Sequence, residues 1–328
     1  MLEHGGRLRQ AAAEYAIPLG DWLDLSTGVN PLGWTAPTIP PACWARLPEE
    51  GDGLEEAAQA YYGVSPLLPI AGSQAAIQAL PLLRQTSTVG LIHPAYAEHL
   101  HAWHRAGHQT LSLDERDIDH YLPQLDVLVV IRPNNPTGSC PSLPQLLAWH
   151  AQLAQCGGWL VVDEAFTDAT PEISLLTHSR PGLIILRSLG KFFGLAGARV
   201  GFIHAQTEIL AQLAEQLGPW NISGPARWIA TKALQDHNWQ TKARLWLAKQ
   251  ETRLNSLLSQ NGLFPTGGCA LFQWVTSPHA AAFHQSLAQQ AILTRLYREP
   301  LSLRFGLPGS EAAWERLAKA LSKLEASG

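Results

Sequence analysis

The 328-residue chain has few cysteines and no close pair of them: Cys43, Cys140, Cys156 and Cys269 stand alone, without a C-x-x-C. That spacing argues against a zinc ribbon or a dithiol redox pair. The four read as free thiols of a reducing compartment. Charge is sparse as well, at 15% of residues against about 25% in ordinary globular proteins. Lys+Arg number 23 and Asp+Glu 27, a net charge of −4, so the basic footprint of a nucleic-acid binder is missing. No apolar run approaches the ~18 residues of a membrane span. The opening MLEHGGRLRQAAAEYAIP has no apolar core of a secretory signal. No G-x-G-x-x-G follows a strand-like run, so a nicotinamide-binding fold lacks its fingerprint. Internal repeats and low-complexity tracts are absent too. The expectation is a cytoplasmic protein that binds neither nucleic acid nor membrane.

What the chain does have is apolar mass. Hydrophobic residues make up 46%, which excludes a disordered chain. At about 150 residues per domain the length predicts two domains. Low charge and twelve tryptophans are compatible with a buried interface in an oligomer.

A proline-rich stretch (Pro31, Pro37, Pro40, Pro41, Pro48) reads as an extended arm, because proline fixes φ and removes a donor. Leu54 to Tyr62 then reads as a helix stopped by Gly63. From residue 67 strands and helices alternate. Strands are predicted at 67–71, 88–92, 108–113, 126–131, 159–162, 183–186 and 200–204, with helices at 74–83, 96–106 and 143–155. The run DVLVVI at 126–131 is that of a strand buried on both faces. Such alternation predicts an α/β domain with a mainly parallel sheet. Helices dominate from 208 to 258. Short strands at 270–274, 293–297 and 301–305 then mix with helices at 280–290 and 311–325. The expected division is an N-terminal arm (1–50), a large α/β domain (51–236) and a smaller α+β domain (237–328).

Ligands bind at the carboxyl ends of parallel strands, and the chemically informative residues follow the predicted strands. Gly72-Ser73-Gln74 follows the first and opens a helix, where backbone N–H groups favour a phosphate. Asn134-Asn135-Pro136-Thr137-Gly138 follows the strand at 126–131, and Asp163 ends the next. Ser188-Leu189-Gly190-Lys191 follows the strand at 183–186, with Arg199 eight residues beyond the lysine. By itself Lys191 reads first as a solvated loop lysine, and otherwise as an amine poised to form a Schiff base. Asp163 reads equally as a cap or salt-bridge partner, or as a carboxylate facing a pyridinium nitrogen. Ser188 and Arg199 together suit a phosphate.

Taken in order, NPTG, DEA and SLGKFFGLAGARVGF resemble the class I/II aminotransferase superfamily of fold-type I pyridoxal-phosphate enzymes, over nearly the whole chain. The resemblance implies a large domain with a mainly parallel seven-stranded sheet, a smaller C-terminal α+β domain, pyridoxal 5'-phosphate as cofactor, and a homodimer. It implies that Lys191 carries the cofactor, that Asp163 pairs with its pyridine nitrogen, and that Asn135 bonds the ring hydroxyl. Gly72, Ser73, Gln74, Ser188 and Arg199 then surround its phosphate, and Tyr96, in HPAYAEH, stacks on the ring. Arg304, in LSLRFGLP, matches the arginine that grips a substrate carboxylate. One departure is visible: Phe166 stands three residues after Asp163, where many relatives have a tyrosine.

The short chain is similar to a compact subgroup holding the histidinol-phosphate aminotransferases and the threonine-phosphate decarboxylases of cobalamin synthesis. HGGRLRQAA, LDLSTGVNPLG, DEAF and RFGLPG resemble the decarboxylases. Both groups handle a phosphorylated amine, so a second anion site is expected. By the same resemblance His4, Gly5, Asn30 and Arg295 are candidates for the substrate phosphate, and Asn135 is counted with Arg304 among the substrate-binding residues. His4 and Asn30 are expected from either subunit of a dimer. Read without the resemblance, His4 is equally a chain terminus, Asn30 a turn former before Pro31, and Arg295 a solvated strand residue.

Overall fold

The computed structural model describes residues 4–325. They form two compact units: 34–135 with 140–241, and 4–33 with 136–139 and 242–325. In chain order the strands are β1 (Leu23–Asp24), β2 (Leu68–Ile70), β3 (Thr88–Ile92), β4 (Gln109–Leu113), β5 (Val127–Ile131) and β6 (Trp159–Asp163). They continue as β7 (Leu183–Ser188), β8 (Gly201–His204), β9 (Gly267–Cys269), β10 (Phe272–Thr276), β11 (Ile292–Leu293), β12 (Arg295–Arg298) and β13 (Leu301–Gly306).

The larger unit is built on a seven-stranded sheet of order β2-β8-β7-β6-β5-β3-β4. Strands β4, β3, β5, β6 and β7 are mutually parallel, while β8 runs antiparallel to both β7 and β2. Every residue of β5 and β7 is buried, as the apolar run VLVVI of β5 and the LIIL that opens β7 require of strands covered on both faces. The predicted helix at 54–62 is present with Gly63 in the left-handed conformation (φ 67°) as its stop. Helices at Ala97–Arg105 and Leu143–Ala154 also match their expectations. Ser142 caps the latter by accepting from the Gln145 N–H.

The smaller unit has a four-stranded antiparallel sheet, β12-β13-β10-β9, and a parallel pair formed by β1 and β11. It differs from expectation in several ways. The strand at 270–274 is a hairpin, β9 and β10, that turns at Ala270 and Leu271. The strand at 293–297 breaks at Thr294, its two halves serving different sheets. Residues Leu8–Tyr15 form a helix where only an arm was expected; its Ala11, with Trp22, Ala288, Ala291 and Leu293, forms a small core. The compact units divide at Gly33 and, later in the chain, at Thr241. The later limit lies inside the helix His237–Gln260, so no loop or change of composition announces it.

Candidate active site

In the larger unit one rim of the sheet collects the expected cofactor residues. The register aligns Ile131, Asp163 and Leu186, then Ser188, Gly201 and Ile70. Because β8 is reversed, its beginning lies beside the ends of β7 and β2. Arg199, two residues before β8, therefore reaches the same rim as Ser188 and Gly72. Asn135 follows β5 and Tyr96 follows β3, on the other side of Asp163. Adjacent strands are about 4.8 Å apart, so these residues span an elongated rim with basic and hydroxyl groups at one end.

Asp163 is the most enclosed acid of this set, at 3% exposure. Its Oδ1 accepts from the Ala165 N–H at 3.0 Å, and its Oδ2 lies 3.0 Å from His99 Nε2. His99 is equally buried and makes an edge contact with the Tyr96 ring, centroids 6.4 Å apart. It was not anticipated from sequence. The available signal was its spacing, since residues three apart on a helix share a face and Tyr96 heads the helix that carries His99.

Tyr96 is partly buried and its hydroxyl donates to Gln74 Oε1 at 3.2 Å. Burial pushes its phenol up to about 12, with Glu98 and Asp163 reinforcing the shift and Arg199 opposing it. Gln74 Nε2 in turn donates to Glu98 Oε2 at 2.9 Å. The Gln74 side chain thus serves Tyr96 and Glu98, leaving its backbone as the part suited to an anion.

At the other end, Gly72 has φ +74°, and a Cβ placed on it would stand 2.8 Å from Arg199 Nη2. Only glycine fits there: the backbone is left-handed and the guanidinium lies against it. Arg199 is itself left-handed at φ 56°, a conformation kept in non-glycine residues mainly where function requires it. Its Nη1 donates to the Ala196 carbonyl at 3.2 Å. Ser188 is buried, with its Oγ accepting from Gly190 N–H at 3.3 Å. Lys191 Nζ lies 5.4 Å from the centroid of the buried Phe166 ring, an attraction of the cation–π kind.

Behind the rim lies a sealed charge cluster. Arg187, next to Ser188, pairs with Glu164 at 2.6 Å and with Asp168. Glu164 also accepts from Ser174 Oγ at 2.6 Å and from the Leu175 N–H at 2.7 Å. Burial alone would lower the Arg187 guanidinium, but Asp168 and Glu164 hold it well above its ordinary value. The cluster ties the residue after Asp163 to the residue before Ser188. Polar letters inside the apolar runs VVDEAF and IILRS were its sequence signal.

The expected substrate residues lie in the smaller unit. His4, Gly5 and Arg295 line one cavity of about 280 Å³, together with Ser26, Arg7 and Arg298. Asn30 and Arg304 are not in that lining. Asn30 is buried and its Oδ1 accepts from the Leu32 N–H at 3.0 Å, as its reading as a turn former requires. Arg304 is buried, with Nη2 donating to the Ser26 carbonyl at 2.6 Å and its guanidinium 5.2 Å from the Phe272 ring centroid.

Pyridoxal phosphate fits the residues of the larger unit. The cradle at Gly72 that a Cβ would fill, the Arg199 and Ser188 donors, an enclosed acid in Asp163 and the primary amine of Lys191 match its phosphate, ring nitrogen and carbonyl in kind.

The model of the family "Aminotransferase class I and II" matches residues 21–321. A threonine-phosphate decarboxylase of Pseudomonas aeruginosa is 56% identical over 98% of this chain and 97% of its own length. One from a Sinorhizobium species is 40% identical, covering 98% of each chain. Among solved structures, L-threonine-O-3-phosphate decarboxylase from Porphyromonas gingivalis shares the fold with a TM-score of 0.77 at 19% identity, over 92% of this chain and 98% of that one. The histidinol-phosphate aminotransferase of Sinorhizobium meliloti, in complex with pyridoxal-5'-phosphate, gives a TM-score of 0.85 at 19% identity, over 99% and 96%. With a sheet, a rim and full-length relatives in agreement, the chain belongs to the class I and II aminotransferases and, within them, to the pyridoxal-phosphate-dependent threonine-phosphate decarboxylases.

Proposed function

We propose that this chain decarboxylates L-threonine O-3-phosphate to (R)-1-amino-2-propanol O-2-phosphate and CO2, supplying the aminopropanol linker of cobalamin. The observation that carries the reading is the 56% identity to a threonine-phosphate decarboxylase over 98% of the chain. In the reaction the bond between Cα and the carboxylate breaks, CO2 leaves, and Cα takes one proton in its place.

Pyridoxal phosphate, when bound, supplies the electron sink for the pair left at Cα. Gly72, Ser73 and Gln74 (through its backbone), with Ser188 and Arg199, would hold its phosphate, and Asn135 its ring hydroxyl. Asp163, kept in place by His99 and the Ala165 N–H, would hold the proton on its ring nitrogen. Tyr96 would pack on the ring face. Lys191 would bind the cofactor carbonyl and afterwards deliver the proton to Cα. His4, Gly5 and Arg295, which share one cavity, would take the substrate phosphate, and Asn30, outside that lining, would order the turn that leads to Leu32. Arg304 would take the carboxylate. Held at both anionic ends, the substrate would be fixed in one orientation, which would select the bond at Cα that breaks.

The chain works in the cytoplasm as a homodimer on this reading. Trp44 (69%), Leu47 (64%) and Trp220 (59%) are exposed apolar side chains that a partner subunit would cover on this reading. Among the described residues no helix is long and apolar enough to cross a membrane, and the cysteines are free. An N-terminal arm at 1–50 that reaches the partner belongs to the same proposal.

The test is product analysis. Cofactor-loaded protein is incubated with L-threonine O-3-phosphate and no oxo acid, and CO2 and aminopropanol phosphate are followed. Equimolar release of both, abolished in Lys191→Ala, is the expected result. No release, with oxo-acid-dependent turnover of histidinol phosphate, would make the chain a transaminase.

A further inference from the structure

We infer that Ser26 is a positioning residue that gives the substrate site its selectivity for a phosphorylated amino acid, by holding the His4–Gly6 turn and the Arg304 guanidinium in one register. This rests on the reading that His4, Gly5 and Arg295 take the substrate phosphate and Arg304 the carboxylate.

Ser26 is 2% exposed, and its polar groups face three directions. Its Oγ donates to Asp24 Oδ1 at 2.6 Å and accepts from the Gly6 N–H at 2.7 Å. Its own N–H donates to the same Asp24 oxygen at 2.8 Å. Its carbonyl accepts from Arg304 Nη2 at 2.6 Å. A Cβ on Gly5 would stand 2.3 Å from that carbonyl oxygen, so the turn rests directly on the atom that Arg304 grips.

The neighbours of Ser26 extend the pattern. The Leu25 N–H donates to the Leu293 carbonyl at 2.8 Å, two residues before Arg295. The Gly306 N–H donates to the Leu25 carbonyl at 2.7 Å, two residues after Arg304. Residues 24–27 are therefore tied to the turn bearing His4, to the strand leading to Arg295 and to the strand carrying Arg304. These residues are far apart in sequence, and this short segment sets their mutual placement. The hydroxyl is specifically needed, because it donates to Asp24 and accepts from Gly6 at once. Alanine would remove the side-chain acceptor that holds the Gly6 N–H at 2.7 Å and so release the turn, while keeping the carbonyl that Arg304 uses. A doubly anionic ligand depends on both anchors being in register; a ligand with the carboxylate alone does not.

The experiment titrates holoenzyme with L-threonine O-3-phosphate and with L-threonine, following the visible absorbance of the cofactor, and separates kcat from KM. Wild type, Ser26→Ala, Ser26→Thr, Gly5→Ala and Arg295→Gln are compared, with thermal melts of each. Ser26→Ala and Gly5→Ala are expected to weaken the phosphorylated ligand about tenfold, the loss of about 1.4 kcal/mol. Their L-threonine affinity stays within about twofold, while Ser26→Thr, which keeps the hydroxyl, stays close to wild type. Equal weakening of both ligands, or none, overturns the inference. If wild type does not distinguish the two ligands and Arg295→Gln changes nothing, the phosphate-site reading itself fails. Should Ser26→Ala not fold, Ser26→Cys, which keeps the side chain's place but is a much weaker hydrogen-bonding group, decides the question.

Discussion

His99 Nε2 and Asp163 Oδ2 lie 3.0 Å apart with both side chains less than 5% exposed, a histidine on a helix holding an acid at a strand end. The acid cannot turn away without abandoning its main partner in a place water does not reach. Replacing His99 by alanine removes a hydrogen bond to a charged group, about 1.5–3 kcal/mol. Cofactor affinity should fall by about 10- to 100-fold. Equilibrium titration of the apoenzyme with pyridoxal phosphate checks this; unchanged affinity would show that Asp163 needs no such support.

Gly72→Ala meets two obstacles, the φ of +74° and a contact of 2.8 Å with Arg199 Nη2. The left-handed backbone alone costs about 1–2 kcal/mol with a side chain. The variant is expected to purify with a reduced cofactor content and a lowered melting temperature. Arg199→Ala/Gly72→Ala should recover part of the melting temperature but none of the cofactor content, since it removes the clash together with the cation.

Arg187→Met strands Glu164 and Asp168 without their cation in a sealed interior. Removing one partner of a buried ion pair costs about 3–5 kcal/mol. Denaturant unfolding is expected to show a loss of that order, larger than for Arg253→Met. That arginine bonds Glu311 at 2.6 Å, but on a surface where both side chains are well exposed, and exposed pairs contribute about 0–1 kcal/mol.

Tyr96 carries a pH signature. Its phenol is raised from 10.0 to about 12 in the fold, chiefly by burial. The folded state thus favours the protonated form, so this contribution is intact below pH 10 and is lost as pH rises toward 12. Melting temperature should fall less steeply over that window in Tyr96→Phe than in wild type. Parallel slopes in the two proteins would refute the shift.

Arg304→Lys keeps the charge and loses the planar fork. The Ser26 carbonyl at 2.6 Å and a ligand carboxylate cannot then be served by one pre-shaped group. KM for L-threonine O-3-phosphate is expected to rise by about tenfold or more, with a smaller change in kcat, in steady-state assays.

Much of the larger unit was legible in the sequence because its signals are local. A run such as DVLVVI is apolar on both faces whatever surrounds it, and Gly63 ends a helix by its own conformational freedom. The rim residues were legible because each follows its strand directly. What escaped depends on partners distant in the chain. The reversed direction of β8 is a matter of what it pairs with, not of its composition. Thr294 splits what reads as one strand because Leu293 pairs with β1 while Arg295 pairs with β13. The helix at Leu8–Tyr15 has a modest apolar face and is fixed by contacts with residues such as Trp22 and Ala288. His99 could be seen only after Tyr96 was placed on a helix, and Ser26 looks like any loop serine until its three partners, Asp24, Gly6 and Arg304, are known.

The reversal of β8 has a further consequence for how the rim can change. A parallel successor to β7 would have required a long crossover, returning the chain to the sheet from the opposite end. Turning straight back instead confines Ser188, Lys191 and Arg199 to one stretch of 12 residues between two neighbouring strands. Amine, hydroxyl and guanidinium therefore behave as a cassette: a single segmental exchange replaces all three together, and an insertion within it alters their spacing without disturbing any other strand.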